Sequence, residues 1–137
     1  MALASTGPGK IWNHAVFFAY DSDINLYFLS QPSSRHMINI VENPEVAVAI
    51  FDTNQTSPVK GLQIRGQARV LADSDVASAH SEYYTRSTKF TPISSDAESY
   101  MGPAASWKFV KITPEEVGLF DRRFSEERQT APKGIKL

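Results

Sequence analysis

The stretch LYFLSQPSSRHMINIVENPEVAVAI, residues 26–50, decides how the rest of the chain is organised. It predicts a strand, a short helix and a second strand. Leu26–Ser30 is apolar and aromatic, as a buried strand should be, and Gln31-Pro32 stops it. Ser33 is the expected N-cap of a helix running to about Asn43, where Asn43-Pro44 ends it. Met37, Ile38, Ile40 and Val41 are expected on its buried side. The first turn of a helix carries free N–H groups and partial positive charge. Ser34, Arg35 and His36 at that point make a compact seat for a phosphate. The ordinary alternative is a capped helix start with two solvated cations, so the surroundings must decide.

Composition narrows the choices. At 137 residues the chain is long enough for one domain with a genuine core, and 42% hydrophobic with 21% charged residues is ordinary for a globular protein. A net charge of −1 gives no electrostatic case for nucleic acid or an anionic membrane as partner. The absence of cysteine removes disulfides, thiolate nucleophiles and zinc–cysteine sites. No apolar run has the length of a membrane span and the start MALASTGPGK lacks a signal-peptide core, so a cytoplasmic location is expected.

Outward from the opening stretch, residues 1–5 suggest a short edge strand and residues 6–10 (TGPGK) its turn, since a phosphate-loop spacing is lacking. Residues 12–20 (WNHAVFFAY) predict a strand with two largely apolar faces. A small sheet protein has one interior, so the second face should cover another subunit or a flat ligand. Residues 21–25 form a hairpin turn into Leu26–Ser30. Residues 45–52 predict a strand with Val46, Val48 and Ile50 on one side; Ala47 and Ala49, on the other, admit a close-packed helix or a planar ring, the helix being favoured. Residues 53–58 read as a polar loop.

Residues 59–71 alternate as the longest strand, with Leu62, Ile64, Ala68 and Val70 inward. Gln63 and Arg65 point outward, where they could face a ligand, and Gly66 suggests a bulge. Asp73 should cap a helix to about Ser87 that buries Val76, His80, Tyr83 and Tyr84. Residues 89–105 read as an irregular loop and 106–112 as a last strand; Thr113-Pro114-Glu115-Glu116 has the signature of a helical turn. The charged tail 122–137 is expected to be loosely held. The three histidines lack metal-ligand spacing, and no nucleophile elbow or catalytic carboxylate pair is visible. Any redox chemistry would therefore rest on an organic cofactor.

About six antiparallel strands, two helices and a Gly-kinked central strand describe a mainly β split barrel. With AVFFAYDSDINLYFLS, the SSRH…NPEVAVAI run and GLQIRGQARVL, the order resembles the FMN-binding split barrels of the pyridoxamine 5'-phosphate oxidase-like superfamily, in particular the small bacterial branch with a Thr/Ser-Arg-His helix start. The resemblance covers about residues 12–112 and implies one domain over 1–137, assembled as a homodimer with FMN at the interface. It implies that Ser34, Arg35 and His36 hold the phosphate. His36 then stands where the oxidase has a lysine, replacing a permanent cation by one that titrates near neutrality. It further implies that backbone at Asn13, His14, Ala15 and Val16 runs beside the isoalloxazine, Phe28 and Leu29 beside the ribityl chain, and that Lys60 and Gln63 add contacts. Asn13 and Phe18 stand where the oxidase has Arg and Lys, and its C-terminal arginine-bearing substrate strand is not recognisable, which argues against pyridoxamine phosphate oxidation. Relatives of the fold imply F420 or haem as alternative cofactors, with His14 or His80 as haem ligands. A cofactor-free binding or stress module is the other reading; no substrate is implied.

Overall fold

The computed structural model of the chain describes residues 1–51, 60–86, 96–121 and 135–136. Its elements are β1 (Ala2–Gly7), β2 (Lys10–Ala15), β3 (Ala19–Tyr20), β4 (Leu26–Ser30), α1 (Arg35–Glu42), β5 (Glu45–Phe51), β6 (Lys60–Val70), α2 (Asp73–Arg86), a 3-10 turn (Ala97–Tyr100), β7 (Lys108–Asp121) and β8 (Ile135–Lys136). The strands form one antiparallel sheet in the order β2-β1-β5-β6-β7-β4-β3, with β8 also on β7. Laid flat, its outer strands would lie about 29 Å apart. Yet β2 and β3 are joined by residues 16–18 alone, a link that reaches about 14 Å at full stretch. The sheet must curl until its outer strands come within that reach, and the result is the mainly β split barrel that the sequence predicts.

The interior of the barrel holds Leu3, Phe28, Val48, Ile64, Val110 and Ile112, and α1 lays Met37 and Ile40 into it. Alternation puts Tyr27 and Phe109 on the other face of β4 and β7, where they meet Val76, Ala79 and Tyr83 of α2 and the buried Tyr100. Asn39 Nδ2 donates to Ser5 Oγ (3.1 Å) and Asn43 Nδ2 to Thr6 Oγ1 (2.6 Å), pinning α1 to β1. At the β3–β4 turn, Asp21 accepts from the Asp23 and Asn25 amides, Asn25 Nδ2 and Tyr27 Oη, at 2.8–2.9 Å. Burial pushes its pKa up, but these hydrogen bonds outweigh that and hold it below the usual carboxylate range. The turn keeps Ile24 at φ 64°, a strained conformation for a β-branched residue.

Several expectations are corrected. Residues 12–20 divide rather than forming one strand: β2 pairs with β1 and β3 with β4, which gives eight strands among the described residues. The first turn is only Pro8-Gly9, and β1 lies inside the sheet between β2 and β5. Ser34, not Ser33, is the N-cap of α1; Ile38 and Val41 are exposed while His36 and Asn39 are buried. α1 packs on the valine side of β5, leaving Ala47 exposed. On α2, Ala79 is buried while His80 and Tyr84 are only half-buried.

The expected helical turn at Thr113–Glu116 is instead β7 continuing through Pro114. The ladder with β6 shifts register there, Arg65 facing Glu116 and Gly66 facing Pro114. A bulge tolerates a residue without an N–H, so proline's helix-start signature was ambiguous. A Cβ on Gly66 would overlap the Thr113 carbonyl oxygen. Residues 97–100 form an ordered turn within the expected loop, and Ile135–Lys136 pairs with β7. The expected loop at 53–58, residues 87–95 and the tail 122–134 lie outside the described residues. Among those described, no helix is long and apolar enough to cross a membrane.

Candidate functional site

Strand β2 is an edge strand, and its alternation divides the site into two. Trp12 and His14 face α1; Asn13 lies on the opposite face. On the α1 side, the Arg35 guanidinium stacks 4.2 Å from the Trp12 ring centre. It lies in a groove of about 700 Å³ lined also by Gly7, Lys10 and Asn39. Among the described residues no carboxylate lines this groove, and the first turn of α1 carries no acidic residue. Ser34 makes no side-chain capping bond. Its Oγ lies instead 3.1 Å from Ser30 Oγ and 3.2 Å from His36 Nε2.

That arrangement decides the character of His36. Its Nε2 is 2.7 Å from Ser30 Oγ, its Nδ1 is buried with no partner among the described residues, and only 2% of the residue is exposed. Burial, then repulsion from His14 at 4.3 Å between ring centres, lowers its pKa to about 4. The expectation of a cation titrating near neutrality is therefore corrected: His36 is a neutral, buried polar peg. His14 Nδ1 accepts from Trp12 Nε1 (3.1 Å).

Across β2 lies a cleft of about 410 Å³, with Ala2, Ala4, Ala47 and Ala49 as its floor and Asn13 and Gln63 beside them. At one end Arg65 meets Glu115 (2.7 Å), Glu116 (3.5 Å) and Glu45 (3.6 Å). Glu115 foremost among them raises its pKa, so the guanidinium is a fixed cation. At the other end, register sets Phe51 and Phe120 on either side of Gly61, both exposed.

The structure thus brings Ser34, Arg35, His36 and His14 together and gathers Asn13 and Gln63 on the far side of the same strand. Ala15 ends β2, and Val16 is laced to Met1 by backbone bonds. Phe28 does not reach either cavity: it is fully buried, because β4 is an interior strand and its alternation turns that side chain into the barrel. Leu29 packs toward α2, and Lys60, opposite Asp121, lines neither cavity. His80 packs against Tyr84, Tyr100 and Phe109. Sequence reading missed Lys10, Trp12 and the alanines of β1. The two-residue spacing of Trp12 and His14 could have signalled the first face, and ALA at positions 2–4 the floor. Among the described residues, no cluster of three His, Asp or Glu side chains is placed to hold a metal.

A strand-edge site on a split barrel defines a class, and the comparisons name it. The chain belongs to the pyridoxamine 5'-phosphate oxidase family, which it matches over residues 1–121. No curated protein matches it. Among solved structures it is similar to a protein of unknown function from Agrobacterium tumefaciens (19% identity, TM-score 0.67, covering 87% of this chain and 49% of that one). It is similar also to a FAD-binding protein from Mesorhizobium loti (21%, 0.65, 85% and 80%) and a heme-binding protein from Mycobacterium smegmatis (14%, 0.65, 87% and 47%). The chain spans about half the length of the first and third of these. At such identities the likeness is one of fold.

Proposed function

We propose that this chain is a flavin-binding oxidoreductase that acts as a homodimer in the cytoplasm, with FMN as the starting assignment and its substrate unassigned. The observation that carries the reading is the division of the site by one edge strand: a cationic groove, without a carboxylate among the described residues, on one side and an alanine floor on the other. A flavin nucleotide has matching halves, an anionic phosphate and a planar ring. The donor set fits the phosphate through Arg35, which lines the groove, and the uncapped N–H groups at the start of α1. Asn13 and Gln63 offer amides to the polar edge of a ring, and the free edge of β2 offers backbone donors and acceptors. Bound flavin would supply hydride or electron transfer; the protein's residues bind it, orient it and exclude water. Exposed Phe51 and Phe120 flanking the cleft support a second subunit as its cover. Family membership and the FAD-binding neighbour support a flavin.

The test is FMN titration by fluorescence quenching. Losing a charge-assisted hydrogen bond should weaken binding about tenfold to a hundredfold in Arg35→Ala. Unchanged affinity would discard the assignment. A second reading, a cofactor-free binding module, is favoured by the neutrality of His36. A folded dimer without saturable flavin binding would select it.

A further inference from the structure

The groove on the α1 side exceeds what one phosphate needs. It is larger than the alanine-floored cleft, about 700 against 410 Å³, and its two cations come from different elements, Lys10 from the β1–β2 hairpin and Arg35 from α1. Neither is paired with a carboxylate among the described residues. The Arg35 guanidinium lies over the Trp12 ring, a contact that leaves its N–H groups for an anion. Asn39, which also lines the groove, gives one of its two Nδ2 hydrogens to Ser5. A groove of this volume, lined by two cations from different elements, matches an anion that carries charge at two points.

We propose that this groove is a diphosphate site: Arg35 takes the phosphate nearer the strand edge and Lys10 the one beyond it. The inference rests on the flavin reading and sharpens it. The tighter ligand is the flavin carrying a diphosphate and adenosine, and FMN fills the inner half of the same site.

The experiment uses the full chain with Trp107→Phe, so that Trp12 is the sole tryptophan and its emission reports on the groove. Inorganic phosphate, ADP, FMN and FAD are titrated into this protein and into its Lys10→Ala and Arg35→Ala variants, each checked by thermal melting. The expected result is saturable quenching by ADP at concentrations at least tenfold below those needed with phosphate. Lys10→Ala should weaken ADP and FAD about tenfold and FMN less than twofold, while Arg35→Ala weakens all three. Equal affinities for FMN and FAD, with no effect of Lys10→Ala, would overturn the diphosphate site and leave the flavin reading standing. ADP binding that needs Lys10, without binding of either flavin, would uphold the groove and end the flavin reading. Absence of any binding would end both.

Discussion

Whether His36 bears charge decides how many cations the site has, and stability against pH measures it. The ring is buried against Ser30, Ser34, Phe28 and His14, and its pKa falls from an ordinary 6.5 to about 4. As pH drops, the unfolded imidazole takes up a proton first, near 6.5, while the folded one stays neutral until about 4. The stability contributed by neutral burial is therefore complete above pH 6.5, lost progressively down to about pH 4, and constant below. The full shift corresponds to an upper bound of about 3 kcal/mol; solvent reaching the ring past half-exposed His14 brings the expected loss to about 1–2 kcal/mol. Urea unfolding across pH 7.5 to 4 measures it, and subtracting the same series for His36→Gln removes the carboxylate contributions common to both. NMR titration of the ring C–H protons reads the pKa directly. A midpoint near 6.5, or equal pH slopes in the two proteins, would refute the reasoning and restore a switchable cation to the site.

Gly66→Ala drives a Cβ into the Thr113 carbonyl and should cost about 2–4 kcal/mol in chemical denaturation, since backbone must move on both strands. Ile24→Gly releases a left-handed β-branched residue: about 1–2 kcal/mol of relief less the greater entropy of unfolded glycine leaves a gain of about 0.5–1 kcal/mol, visible as a higher melting temperature. Ala49→Phe fills the floor of the cleft from an exposed strand face, so the monomer should still fold while flavin titration shows no saturation.

Much of the barrel was legible because alternation over residues 59–71 and the apolar run Leu26–Ser30 each admit one reading. The failures share a cause. Residues 12–20 look like one strand, yet the curl of the sheet needs a corner there, and a corner set by distant pairing leaves no local mark. Thr113-Pro114-Glu115-Glu116 satisfies helix-start chemistry, but pairing along the whole of β6 outweighs that preference. At the site, Ser34, Arg35 and His36 were legible as a group. The inward turn of His36 was not, because it depends on Ser30, six residues away across a chain reversal.

The fourteen residues of β7 border β6, β4 and β8, and supply Val110, Ile112 and Val117 to one core and Phe109 to the other. They are also synthesised after every other wall of the barrel except β8. During translation β4 and β6 therefore emerge with bare hydrogen-bonding edges, and the nascent chain holds a half-built cylinder that invites strand exchange with neighbours or capture by a chaperone. Closure waits for the keystone, so the yield of native protein should depend on how the cell handles the interval before residue 121 leaves the ribosome.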